Sequence, residues 1–207
     1  MAKTWDDFLP LLTPLVPGVP DATAKTYLAQ AAADFFVRTY LWREELDPIT
    51  LQSGVAVYDL GVSIRGAAIE DVRSVTLDGS SVPLVRILPD VVPAGHTDIA
   101  GSPTHYWMVG DTAIGVYPTP DRRFVLRLTG VLKTSRAATQ VDDWIYETWA
   151  DALAHGAASR ILNIPGKEWS SPTLAAEYSA RFEKAIVAAR VRNMRTARVS
   201  VVPRPFA

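Results

Sequence analysis

Cysteine is absent from the 207-residue chain. Its absence excludes disulfides, thiolate zinc sites and cysteine nucleophiles, and it favours a chain made in a cytosol. No stretch approaches the roughly 18 apolar residues that span a bilayer, and Met1 to Asp7 has no apolar signal core. Net charge is close to absent, at −1. That argues against a general nucleic-acid binder, because such domains carry a strong basic excess. His96, His105 and His155 are the only histidines, and they fall on different predicted elements without metal-ligand spacing. Walker, GxGxxG, GxSxG and HExxH motifs are all missing. The sequence therefore implies no metal, no cofactor and no recognisable catalytic signature. It also has no internal repeat.

What is present is a globular composition, 48% hydrophobic and 21% charged. A chain of this size forms one large domain or two small ones. Its charge is unevenly placed. From Arg181 onward, seven Lys and Arg side chains stand against the single acid Glu183, so the preceding chain is acidic. The basic stretch ends in Val199-Ser200-Val201-Val202-Pro203-Arg204-Pro205-Phe206. Two prolines and β-branched residues cannot continue a helix. An acidic body with an extended, basic and apolar tail suggests docking onto another macromolecule; a self-contained enzyme has no need of it.

Periodicity divides the chain into four parts and predicts an α+β fold. Residues 1–48 read as helices. Thr4 and Asp7 form a capping box, and prolines 10, 14, 17 and 20 make turns. A second helix, with Asp21 as N-cap, runs to about Glu44, before Asp47-Pro48. Residues 49–138 read as an antiparallel β-sandwich or barrel module. In it Asp78-Gly79 links a strand at 72–77 to a return strand at 82–88, and Gly110-Asp111 links a second hairpin. Residues 139–195 read as a helical hairpin. One helix follows Asp142, Pro165-Gly166 turns, and Ser171-Pro172 starts a second helix that runs to about Met194. Residues 196–207 form the tail. The terminal helices are expected to pack around the β module, with Phe35, Trp42, Trp149, Leu153, Tyr178 and Phe182 in their core. Gly156-Ala157-Ala158 is read as a site of close helix packing.

One constellation invites a chemical reading. Asp143, Glu147, Asp151 and His155 recur every four residues and form a stripe on one helix. Three acids and a histidine can hold a cation or perform acid–base work. The same stripe serves equally as a solvated face or as the lining of a shared channel. The arginines of the tail can bind phosphate, but their interleaving with Val and Pro suits a protein groove as well.

Taken in order, the segments resemble the head-to-tail adaptor (tail-tubular or connector) proteins of tailed bacteriophages. The first matching stretch is Ala31-Ala32-Ala33-Asp34-Phe35-Phe36-Val37-Arg38-Thr39-Tyr40-Leu41-Trp42, similar to that family's first long helix. The second runs from Tyr146-Glu147 through Gly156-Ala157-Ala158-Ser159-Arg160-Ile161-Leu162. It continues in Pro165-Gly166-Lys167-Glu168-Trp169, Leu174-Ala175-Ala176-Glu177-Tyr178 and Phe182, similar to the family's paired C-terminal helices. Tyr117-Pro118-Thr119-Pro120 also fits, whereas Trp5 to Pro20 has no counterpart. The resemblance implies a virion protein at the head–tail junction, made in the host cytoplasm, with no membrane partner. It implies a dodecameric ring of self-associating subunits beneath the portal protein, continued by tail nozzle proteins. DNA would pass through the channel without specific binding. It also implies that the tail, with Arg195, Arg198, Val201, Val202, Pro203, Arg204 and Phe206, docks on the portal. Asp143, Glu147 and Asp151 would then face the channel or the outer surface. The competing readings are a small nucleic-acid-binding module that uses the basic helix and tail, and a hydrolase built on the acidic stripe.

Overall fold

A computed structural model of the protein describes residues 2–92, 95, 98–135 and 137–198, with side chains as far as Met194. The chain forms two compact units, Met1–Leu41 with Lys133–Ala207, and Trp42–Leu132. The first is helical and the second is built of strands, so the fold is α+β.

The helical unit opens with strand β1 (Ala2–Thr4) and helix α1 (Trp5–Leu12). The Thr4 amide and hydroxyl both donate to the Asp7 carboxylate, at 2.7 and 2.9 Å. This occupies a backbone donor that the first helical turn leaves unpaired. Helix α2 (Asp21–Thr39) follows Pro20 and buries Leu28, Ala31, Ala32, Phe35 and Phe36. It stops five residues before the expected Glu44. Tyr40 takes the left-handed conformation (φ 51°) and its amide donates to the Phe36 carbonyl at 3.0 Å, which closes the helix. Trp42, expected in the helical core, is therefore buried in the β unit instead.

The β unit begins with β2 (Arg43–Glu45), β3 (Ile49–Leu51), β4 (Val57–Asp59), β5 (Ala67–Leu77) and β6 (Val85–Arg86). A one-turn 3-10 helix (Pro89–Val91) precedes β7 (Ala100–Gly101), β8 (His105–Val109), β9 (Ala113–Tyr117), β10 (Thr119–Pro120) and β11 (Phe124–Thr134). β8 and β9 form the antiparallel hairpin expected across Gly110-Asp111, with Val109 opposite Ala113 and Gly110 at φ 62°. Trp107 lies over Gly115 on the neighbouring strand, in space that any Cβ there would occupy. The hairpin at Asp78-Gly79 is only half made. Gly79 turns the chain at φ 79°, and Thr76 bridges to Pro83. Pro83 has no N–H to continue the ladder, so the expected strand at 82–88 shrinks to Val85–Arg86 and pairs instead with β8, in parallel.

Two four-stranded sheets result, β4-β9-β8-β6, and β2-β11-β3 with β5 also on β11. The expected antiparallel sandwich or barrel needs correction in two respects. β6 and β7 each join a partner in parallel, and no closed barrel forms among the described residues.

After β11 the chain re-enters the helical unit as β12 (Gln140–Asp142), α3 (Asp143–Leu162) and α4 (Pro172–Arg198). β12 pairs antiparallel with β1, and the Trp5 indole N–H donates to the Ala138 carbonyl at 2.6 Å. The N-terminal segment that matched nothing in the sequence reading is thus stitched to this return. α3 buries residues on every side, among them Ile145, Trp149, Leu153, Ala157 and Ile161, as a helix in the middle of a unit must. Phe35 packs against Trp149 at 5.2 Å and Phe182 at 6.2 Å between ring centroids. Tyr178, placed in the core by periodicity, is only half-buried. α4 extends to Arg198, past the Met194 end predicted for it.

The Phe182 ring fills the space above Gly156, where an added Cβ would stand 2.8 Å from two ring carbons. Gly to Ala within a helix ordinarily gains about 1 kcal/mol. For Gly156→Ala the sign is expected to reverse, with a net loss of about 1–2 kcal/mol from overpacking. Urea unfolding of the full chain measures this.

Candidate functional site

The feature of the helical unit most suited to a function is the mounting of α4, because it carries the basic C-terminal stretch. α2 ends with carbonyls that have no helical partner. Residues of α4 supply the donors: Arg190 Nε donates to the Arg38 carbonyl at 2.8 Å. Asn193 Nδ2 donates to both the Thr39 and Tyr40 carbonyls at 2.9 Å. Arg190 also brings a cation to the negative end of the α2 dipole.

Two turns back along α4, Glu183 forms a two-point ion pair with the Arg38 side chain, with one bond at 2.6 Å. Those hydrogen bonds hold the Glu183 carboxyl below its ordinary pKa and raise that of Arg38. Asp34 accepts from Arg160 of α3 at 2.8 Å and lies 3.6 Å from Arg38. The three long helices are therefore joined by one charge network at the end of α2. These pairs are partly exposed, so each contributes at most about 1 kcal/mol. Their effect is chiefly to fix the line along which α4 leaves the unit.

The acidic stripe lies elsewhere on α3. Glu147 and Asp151 are exposed and Asp143 is half-buried. Asp142, Asp143, Glu147 and the exposed Trp144 border one shallow surface depression. His155, the fourth member of the spacing, turns away into packing. Its ring stacks on Tyr178, with centroids 5.5 Å apart and planes at 17°. Burial lowers its pKa, and the neighbouring Arg181 lowers it further, against the opposing pull of Asp151 and Glu177. The His155 ring is thus engaged with Tyr178 of α4. No group of three or more His, Asp or Glu able to hold a metal occurs among the described residues.

The other singled-out residues are placed as follows. Phe35, Trp149, Leu153 and Phe182 lie together in the interior of the helical unit. Arg195 and Arg198 fall within α4 and not in an extended tail. Val201, Val202, Pro203, Arg204 and Phe206 lie outside the described residues. The structure adds Asn193, Arg190 and Asp34, which sequence reasoning missed. The bare Tyr40-Leu41-Trp42 end of α2, with no glycine to close it, was the one hint that the helix needed donors from elsewhere.

The model of the SU10 adaptor protein family fits residues 4–204. No curated protein matches the chain.

The state of His155 makes a pH prediction. With its folded pKa below the ordinary 6.5, the unfolded chain takes up a proton on acidification that the folded chain resists. Its contribution to stability is complete above pH 6.5 and declines as the pH falls from there. His155→Phe keeps a ring against Tyr178 and removes the titration. The melting temperature of this variant should fall less than that of the parent between about pH 7 and pH 5, measured by calorimetry across that range.

Proposed function

Because the chain belongs to the SU10 adaptor protein family of phage head-to-tail adaptors, we propose that it assembles as a ring beneath the portal and joins capsid to tail. In this reading it is a structural virion protein. The helical unit faces the portal, tail proteins continue the ring on the other side, and DNA crosses the channel without specific binding. The observation that carries the reading is the mounting of α4. Three side-chain contacts from Arg190 and Asn193 and the Arg38–Glu183 pair clamp a 27-residue helix against the end of α2. The helix so held leads into the last nine residues, rich in Val and Pro, which meet the partner in this reading.

On a portal surface Val201, Val202 and Phe206 would enter apolar pockets. Arg195, Arg198 and Arg204 would pair with acidic groups. Pro203 and Pro205 restrict the unbound chain and so lower the entropy lost on docking. Exposed Glu147 and Asp151, with Asp143, suit a surface that must let phosphates slide past without holding them. Two members of the basic stretch are committed within the protein, Arg181 to Glu177 and Arg190 to the Arg38 carbonyl. That weakens the case for a nucleic-acid-binding helix.

Deletion of residues 199–207 removes no part of α4. The melting temperature should stay unchanged while association with the cognate portal, followed by co-sedimentation, is lost. Wild-type portal affinity in the truncated protein would overturn the docking role of the tail.

A further inference from the structure

Three consecutive carbonyls at the end of α2 take donors from α4: Arg38 from Arg190, and Thr39 and Tyr40 from Asn193. α2 itself contributes the bond from the Tyr40 amide to the Phe36 carbonyl at 3.0 Å. It also supplies the bond from the buried Thr39 hydroxyl to the Phe35 carbonyl at 2.7 Å. This closure requires Tyr40 to stand in the left-handed region, at φ 51° and ψ 32°. A residue with a Cβ is disfavoured there, and glycine is the usual occupant. The end of α2 is therefore built on a residue that opposes its own closed form, and the missing support comes from α4.

The dependence runs in the other direction as well. Phe182, Ile186 and Ala189 bury the inner face of α4. Beyond Ala189, Asn193 is the one described side chain that is not exposed; Arg190, Val191, Arg192 and Met194 all are. The late part of α4 is thus held to the unit by polar bonds to the end of α2, in place of the apolar packing that holds its earlier turns. Asn193 stands five residues before Arg198, where α4 ends, little more than one helical turn. The nine residues assigned above to portal docking start directly after it.

We infer that the left-handed end of α2 is a latch that pre-orders the docking arm. In the closed form Tyr40 is left-handed, two carbonyls face Asn193, and the last turns of α4 are held. In the open form Tyr40 relaxes, Asn193 loses both acceptors, and those turns are released. Docking from the open form has to order them first, which costs conformational entropy. A portal therefore binds the closed form more tightly, and its apparent affinity scales with the fraction of chains that are closed. By linkage a docked portal also stabilises the closed end of α2. Tyr40 and Asn193 are in this sense positioning residues for the portal contact. The inference rests on the adaptor reading and adds how its docking arm is regulated.

Amide exchange at position 40 reads the latch, because that amide bonds to the Phe36 carbonyl when the end is closed. In the full-length chain Asn193→Ala should speed this exchange and weaken binding to the cognate portal, each by about tenfold. Saturating portal should slow the exchange in the parent chain. Tyr40→Gly adopts the left-handed conformation without help from α4. In that background the loss of portal affinity caused by Asn193→Ala should shrink to about twofold or less, the mark of two coupled positions. An equal loss in both backgrounds means that Asn193 acts by some other route, and overturns the inference. So does faster exchange with unchanged portal affinity, or exchange that Asn193→Ala leaves unaltered; both leave the adaptor reading standing. A parent chain that does not bind the portal removes the adaptor reading, and the inference with it.

Discussion

The contact between Phe182 and Gly156 sets the spacing of the helical unit. A helix buried on all sides has to be approached closely by its neighbours, and α3 is such a helix. The missing side chain at Gly156 lets the Phe182 ring settle against the α3 backbone. From there the ring reaches Phe35, which in turn reaches Trp149. Three helices thus share one aromatic cluster. Removing any of these rings would cost about 3–5 kcal/mol, several times what a partly exposed ion pair contributes. Apolar packing holds the helices together, and the charges at the end of α2 direct them.

That direction matters because α2 ends abruptly. Tyr40 adopts a left-handed conformation without being glycine, which is uncommon and persists only where the surroundings support it. The support is visible: Asn193 donates to the Tyr40 carbonyl itself and to that of Thr39. The same donors that complete α2 tie down α4. Termination of one helix and orientation of another are thus a single arrangement. The chain then crosses into the β unit at Trp42 and returns at Lys133, so the helical unit is built from both ends of the sequence. β1 and β12 make the same point in miniature: residues 2–4 pair with residues 140–142.

Much of this was legible beforehand, for physical reasons. The α+β character follows from a switch in hydrophobic period at both boundaries of the β unit. The β8–β9 hairpin was readable because Gly110-Asp111 sits between two alternating runs. The capping role of Thr4 and Asp7 is a local contact that sequence spacing alone specifies. Readings failed where a distant group decided. The expected return strand after Gly79 is drawn away by β8, to which Val85 and Arg86 pair. The end of α2 depends on donors more than 150 residues away. His155 matched the acidic stripe by spacing, yet its ring is claimed by Tyr178 on another helix.

The sequence by itself determined which segments become helices or strands, where most turns fall, and the gathering of positive charge toward the C-terminus. These are matters of period, of the glycines and prolines at turns, and of composition, each readable within a few residues. Which of the basic residues anchor α4 and which stay exposed was decided only by tertiary structure. So were the uses of residues 2–12 and the early end of α2. Those outcomes depend on contacts between residues far apart in the chain, and no local pattern carries the free energy of a contact whose partner lies elsewhere.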